Sequence, residues 1–142
     1  MKENIIMIAS DHAGFTLKEK IIKYLTDKNF KTENIGCFSE EAVDYPDYAK
    51  KLCNNLKNNT GILICGTGIG MSICANRFPN IRAALCQNEE MAILAREHND
   101  ANIIVLGARI IDTNLALKCI DSFLKTKFLG GKHQIRINKL TI

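Results

Sequence analysis

A cysteine at the end of an apolar run is followed at once by a glycine-spaced loop, Cys65-Gly66-Thr67-Gly68-Ile69-Gly70. The preceding run, Ile62-Leu63-Ile64, predicts a short buried strand, so the thiol stands where a strand gives way to a turn. Glycines at alternate positions let backbone N–H groups approach a bound anion. The next residues, 71–76, can continue as a helix, whose N-terminus favours both an anion and a cysteine thiolate. The hexapeptide therefore indicates a base or nucleophile acting on an acidic small molecule. A plain strand-to-helix turn with a buried cysteine fits the same pattern.

The composition limits the classes of protein that this chain can be. Its 142 residues are 46% hydrophobic and 24% charged, which predicts one globular domain over residues 1–142. The net charge of +4 is spread along the chain and aromatic residues make up only 6%, so we expect no nucleic-acid partner. The six cysteines form no C-x-x-C pair and no ligand cluster with the three histidines, so no metal site is predicted.

The first residues carry no targeting signal. Residues 1–4 lead into only five apolar residues, Ile5 to Ala9, and no apolar run approaches the length that spans a membrane. We therefore expect a cytoplasmic protein with reduced thiols and no membrane contact.

Short apolar runs alternate with amphipathic stretches along the whole chain. The strand candidates are Ile5–Ala9, Thr32–Ile35, Ile62–Cys65, Arg82–Cys86 and Ile103–Leu106. Helical stripes lie between them, formed by Leu17, Ile21, Ile22 and Leu25, by Ala49, Leu52, Cys53 and Leu56, by Met91, Leu94 and Ala95, and by Leu115, Ile120 and Leu124 after a capping Asp112. This order predicts an α/β fold, a three-layer α/β/α Rossmann-like sandwich with a five-stranded parallel sheet. The tail after Leu129 begins with a flexible Gly130-Gly131 hinge and carries basic side chains.

Polar side chains follow most of the predicted strands, at the sheet edge where α/β proteins bind ligands. Five functional groups are expected to meet there, from Asp11, His12, Tyr45, Cys65 and Arg109. Each of the other four, like the thiol, also has a structural explanation. The carboxylate can cap the first helix, the imidazole can be solvated, the phenol can brace a loop, and the guanidinium can pair with a surface carboxylate. Asp44 is expected to be structural.

The pair His98-Asn99 precedes the fifth strand and therefore belongs to the amino edge of the sheet, opposite Cys65. A five-residue strand spans roughly 16 Å, which is too far for His98 and Cys65 of one chain to contact the same small molecule. Either His98 closes its helix as a structural residue, or a second subunit carries it to the thiol.

Taken together, the chain resembles the ribose-5-phosphate isomerase type B family, which includes galactose-6-phosphate and allose-6-phosphate isomerases. Segments in matching order cover nearly the whole chain: Ser10-Asp11-His12-Ala13-Gly14-Phe15, Asp44-Tyr45-Pro46-Asp47-Tyr48-Ala49, Ile64-Cys65-Gly66-Thr67-Gly68-Ile69-Gly70, Ala75-Asn76-Arg77, His98-Asn99-Asp100-Ala101-Asn102, Gly107-Ala108-Arg109 and Gly130-Gly131-Lys132-His133.

The resemblance implies an isomerase of the non-oxidative pentose phosphate pathway that uses no metal or cofactor and interconverts ribose 5-phosphate and ribulose 5-phosphate. Cys65 would be the general base, with Thr67 beside it, and the amides of Gly66, Gly68, Ile69 and Gly70 would hold the enediolate. His98, with Asn99, would open the furanose ring across a subunit interface. The resemblance thus implies at least a homodimer, with a tetramer also compatible, and its tail would complete the partner's site.

The remaining roles come from the same resemblance. The substrate phosphate would meet His12, Arg109, Lys132 and Arg136. Thr67 and Asp11 would contact sugar hydroxyls, and Tyr45 would help shape the pocket. Lys132 departs from the arginine expected there, which keeps the charge but loses the bidentate fork.

Other interpretations remain open at this level. The two hexose-phosphate isomerases are alternatives of the same kind. A nucleotide-binding module would need G-x-G-x-x-G after the first strand, whereas this loop follows the third and places Met71 at the last glycine position. A thiol redox protein would need a partner for Cys65, such as Cys74 brought close by folding.

Overall fold

A computed structural model describes residues 4–142 of the chain, and residues 1–3, which the single-domain prediction includes, lie outside the described residues. Five strands form one sheet: β1 (Ile6–Ser10), β2 (Thr32–Gly36), β3 (Thr60–Cys65), β4 (Ala83–Leu85) and β5 (Ile103–Gly107). Their order is β2-β1-β3-β5-β4 and every neighbouring pair is parallel. The predicted five-stranded parallel sheet is confirmed, with each strand found within two residues of its predicted ends.

The described residues form six helices: α1 (Phe15–Asp27), α2 (Tyr45–Asn55), α3 (Ile69–Ala75), α4 (Glu89–Asn99), α5 (Thr113–Lys125) and α6 (Lys132–Asn138). Asp112 accepts a hydrogen bond from the Leu115 amide at 2.8 Å, so the predicted cap of α5 is confirmed. The sequence predicted no helix in the tail, where α6 starts after two glycines with positive φ.

The alternation of side chains along the buried strands divides the core into two layers. Ile62 and Ile64 of β3 pack on one face with α1, α4 and α5. Leu63 and Cys65 face the other layer, which α2 and α3 cover. The three-layer α/β/α architecture is therefore the observed one, and the period of two in β3 directs the Cys65 thiol toward α3.

One predicted stripe is partly wrong. In α4 the side chains turned into the core are Ala92 and Ala95, whereas Met91 and Leu94 are 41% and 37% exposed. The two alanines pack in the core cluster with residues of α5 and β5, so the small side chains of α4 face the sheet and the larger ones face outward. Within residues 4–142, none of the helices has the length and apolar character needed to cross a membrane.

Candidate active site

The Cys65 thiol sits at the last position of β3 and is almost fully buried, with 5% exposure. The backbone N–H of Gly68 donates to its sulfur, with 3.2 Å between nitrogen and Sγ. The chain turns sharply enough for this contact because Gly68 adopts φ +80°, a left-handed conformation that other residues rarely take. This contact holds the sulfur against the turn, beside the backbone of the glycine loop.

The loop rests on the end of β5. Gly107 pairs with Cys65 in the sheet, and a Cβ at position 107 would lie 2.5 Å from the Thr67 carbonyl oxygen. The backbones can approach this closely only because residue 107 has no side chain. Two further bonds fasten the loop, from the amides of Ala108 and Arg109 to the carbonyls of Cys65 and Gly66, each at 2.9 Å. The hydroxyl of Thr67 accepts from the Ile69 amide at 3.2 Å.

Asp11 and His12 follow β1 at the same edge of the sheet. The Asp11 carboxylate is 7% exposed and accepts a hydrogen bond from the Gly14 amide at 3.1 Å, within the turn that leads into α1. The His12 Nδ1 accepts from the Val43 amide at 3.1 Å. An amide can only donate, so the imidazole proton lies on Nε2 and that nitrogen is the donor left for a ligand.

Tyr45 and Arg109 approach the loop from either side. A Cβ at Gly70 would lie 2.5 Å from the ring of Tyr45, and one at Gly66 would lie 3.0 Å from Nη1 of Arg109. The glycines therefore admit a phenol and a guanidinium against the loop backbone. The phenol is at the start of α2, beside Pro46, and is 37% exposed. Tyr45 and Arg109 thus lie against the loop that follows Cys65, and Asp11 and His12 lie at the same edge of the sheet; their meeting at one ligand stays a prediction.

The other cysteines differ from Cys65 in their surroundings. All six are free thiols. Burial raises the pKa of Cys53 and of Cys86 to about 12, and that of Cys119 to about 11. Smaller contributions in the same direction come from Cys74, Cys119 and Glu89, respectively. These thiols are inert core residues at neutral pH.

A second set of predicted site residues lies at the opposite edge of the sheet. His98 and Asn99 end α4, just before β5, and Lys132 and Arg136 belong to α6. The imidazoles of His98 and His133 are stacked, with ring centroids 4.3 Å apart and planes 13° from parallel. This stack joins α6 to α4, so the ring-opening candidate and the basic tail form one cluster.

The pKa of His133 is lowered from its ordinary value. Desolvation is the largest cause, and the positive charges of His98, Lys132 and Arg136 act in the same direction, while Glu97 opposes them. No role for His133 was predicted from the sequence, although this histidine ends the Gly130-Gly131-Lys132-His133 segment.

The two sets cannot meet within one chain. Residues 61–65 of β3 run beside residues 103–107 of β5, which puts about 13 Å of strand between the amino and carboxyl edges. A cavity of 1080 Å³ lies at the amino edge beside Asn99 and the tail, and Cys65 does not line it. Residues 4–142 contain no group of three or more His, Cys, Asp or Glu side chains that could hold a metal ion.

Fold and site together define a class: a parallel α/β protein with a buried thiol, a glycine-rich loop and polar side chains at the carboxyl edge of its sheet. The family model for ribose/galactose isomerases matches residues 6–140. The chain belongs to the ribose/galactose isomerase family.

Individual relatives agree with that membership. Ribose-5-phosphate isomerase B of Escherichia coli is 39% identical over 139 residues, covering 96% of this chain and 93% of the relative. A crystal structure of a ribose 5-phosphate isomerase from Thermotoga maritima has a TM-score of 0.95 and 54% identity, with 99% of each chain covered. The structure of ribose-5-phosphate isomerase B from Mycoplasma genitalium with bound ribulose-5-phosphate has a TM-score of 0.91 and 41% identity, covering 99% of this chain and 95% of the other.

Proposed function

We propose that this chain is an isomerase that interconverts D-ribose 5-phosphate and D-ribulose 5-phosphate. The observation that carries the proposal is the Cys65 sulfur at the end of β3, with the Gly68 N–H donating to it at 3.2 Å. Family membership and the Mycoplasma genitalium relative with bound ribulose-5-phosphate support the substrate. They also favour an isomerase over a nucleotide-binding module or a thiol redox protein.

The central step is a proton transfer in the open-chain sugar. The Cys65 thiolate takes the proton from C2 of the aldose, and the C2–H electron pair moves to form an enediolate with its negative charge on O1. Return of the proton to C1, with transfer of the O2 proton to O1, gives the ketose. A positioned base contributes ~10²–10⁴-fold to such a reaction. The amides of the loop from Gly66 to Gly70 and the Thr67 hydroxyl are the groups that we assign to the developing oxyanion, where each good donor adds ~10²–10³-fold.

The remaining side chains bind and orient the substrate. The Nε2–H of His12 is a donor for the phosphate, because Nδ1 is already occupied by the Val43 amide. Arg109 adds a positive charge beside Gly66. Asp11 is the acceptor for a sugar hydroxyl, and Tyr45 forms a wall of the pocket.

Ring opening requires a second chain. His98 would donate a proton to the ring oxygen as the C1–O4 bond breaks and the hydroxyl at C1 loses its own proton, with Asn99 holding the sugar beside it. Since this cluster lies at the edge opposite Cys65, we propose a homodimer at minimum in which each chain supplies one edge to each site. Lys132 and Arg136 then add positive charge to the partner's phosphate site. A single domain over residues 1–142 and a cytoplasmic location complete the proposal.

Substrate preference tests the function directly. We expect kcat/KM to be highest for ribose 5-phosphate, compared with allose 6-phosphate and galactose 6-phosphate, and to be unchanged by a metal chelator. Cys65→Ala should lower kcat for ribose 5-phosphate by ~10²–10⁴-fold. A higher kcat/KM for either hexose phosphate would transfer the assignment to that isomerase, and full activity of Cys65→Ala would remove the proposed base.

A further inference from the structure

The end of α4 holds a charge cluster for which the proposed chemistry supplies no role. It consists of Arg82, Arg96 and Asp100. Asp100 follows Asn99 and closes the helix with φ 45° and ψ 44°, a left-handed conformation that aspartate tolerates better than most residues. The residue that shapes this corner is thus two positions from His98.

Arg82 reaches the corner from a separate segment, just before β4. Its Nε donates to the carbonyl oxygens of Asn99 at 3.1 Å and of Asp100 at 3.0 Å. Its Nη2 donates to the same Asp100 carbonyl at 2.9 Å and reaches the Asp100 carboxylate at 3.5 Å. These carbonyls lie where a helix leaves acceptors unsatisfied, and a cation at this end also complements the helix dipole.

Arg96 holds the other side of Asp100. Its Nη1 donates to the Asp100 carboxylate at 2.9 Å and to the Ala101 carbonyl at 2.7 Å, and its Nε donates to the Thr126 carbonyl at 3.2 Å. The side chains of Arg82, Arg96 and Asp100 are 28%, 20% and 37% exposed. Ion pairs as exposed as these add little to the free energy of unfolding. Their hydrogen-bond geometry instead shows how the end of α4 is held in place.

The backbone of Arg82 is itself fixed. Its amide donates to the Asn102 side chain at 2.8 Å, and its carbonyl accepts from the Asn102 amide at 3.0 Å. The guanidinium therefore extends from a rigid base to the carbonyl of Asn99, the residue next to His98. The His98 ring itself stacks on His133 of the short helix α6.

We propose that Arg82 is a positioning residue for ring opening: it holds the His98–Asn99 end of α4 in the orientation that presents the imidazole to the partner's substrate. This inference rests on the proposed function, in which His98 opens the furanose. A displacement of about 1 Å at such a group costs ~10²-fold in rate. Arg82 acts through the backbone of α4 and touches neither the substrate nor the thiol.

Two assays separate ring opening from proton transfer. Conversion of ribose 5-phosphate requires both steps. Ribulose 5-phosphate is acyclic because its 5-hydroxyl is esterified, so exchange of its C1 proton with D₂O, followed by NMR, reports proton transfer alone. For Arg82→Gln we expect kcat/KM for conversion to fall by ~10–100-fold while C1 exchange stays within about threefold of wild type.

Further variants keep the test decisive. Lys23→Gln removes an exposed ion pair with Asp27 elsewhere on the surface and should leave both rates unchanged. Arg82→Lys keeps the charge without the planar fork and should recover part of the lost conversion. If Arg82→Gln is unfolded at the assay temperature, Arg82→Lys carries the test with the same two readouts.

The outcomes that overturn the positioning role are equal losses of conversion and exchange, or no loss of either. A wild-type chain that neither converts ribose 5-phosphate nor exchanges the C1 proton would instead overturn the proposed function, and the positioning role with it.

Discussion

Gly107→Ala should disable the loop at Cys65, although residue 107 itself supplies no group that we assign to chemistry. The new Cβ would lie 2.5 Å from the carbonyl oxygen and 2.6 Å from the carbonyl carbon of Thr67, and ordinary contact requires about 0.9 Å more. Position 107 is fixed in the sheet by its pairing with Cys65, so the Thr67 carbonyl must move. That carbonyl and the Gly68 N–H belong to one peptide group, whose nitrogen lies 3.2 Å from the sulfur.

A shift of nearly 1 Å at this peptide removes the amide from the sulfur. We expect kcat to fall by ~10²-fold, about 2.7 kcal/mol in the barrier. Overpacking should also lower the free energy of unfolding by about 1–3 kcal/mol. The assay is the initial rate of ribulose 5-phosphate formation per folded molecule, with the folded fraction followed by circular dichroism.

Gly61→Ala is the matched control. Its Cβ would meet the side chains of Ile103 and Leu52 at 2.9 Å, at the amino end of β3 and far from the thiol. It should lower stability by a similar amount and leave kcat of the folded protein unchanged. The reasoning fails if folded Gly107→Ala keeps kcat within about threefold of wild type, or if Gly61→Ala loses as much.

Three further predictions concern the thiols and the tail. At pH 8, iodoacetamide should modify Cys65 before the core thiols Cys53, Cys86 and Cys119, because burial raises the pKa of those three thiols. Modification of Cys65 should abolish activity, and ribose 5-phosphate should protect it. Peptide mapping that finds one of the three core thiols modified before Cys65 would contradict this. An NMR titration should give His133 a pKa below its ordinary value of 6.5, because desolvation and neighbouring positive charges favour the neutral ring. Lys132→Gln should raise this pKa. A value at or above 6.5 in the wild-type protein would be inconsistent with the stacked cluster. Lys132→Arg should lower KM for ribose 5-phosphate by about two- to tenfold with kcat unchanged, because a guanidinium binds phosphate through two donors. An unchanged or higher KM would argue against a phosphate contact at position 132.

The sheet was predictable because each strand is a short apolar run bounded by polar or glycine residues. The carboxyl-edge groups followed from the same pattern, since parallel strands end at one edge. The edge assignment of His98 likewise followed from its place before β5.

Other features depend on contacts that a linear pattern does not contain. The face of α4 was partly misassigned because Ala92 and Ala95, rather than the larger Met91 and Leu94, pack into the core. Helix α6 was missed because it is short and follows two glycines, and its His133 stacks on a residue 35 positions earlier in the chain. The donation from Gly68 to the thiol depends on one left-handed residue, and the sequence shows only that glycine permits it.

Mixing two inactive variants tests the central claim most directly. Cys65→Ala removes the base from one edge, and His98→Asn removes the ring-opening group from the other. In a heterodimer of the two, one site carries both changes and the other carries neither. After equal mixing and complete subunit exchange, about a quarter of all sites should be intact, and activity on ribose 5-phosphate should return to about a quarter of wild type. Heterodimers shown to form by mass spectrometry without any return of activity would contradict a site built from Cys65 of one chain and His98 of its partner.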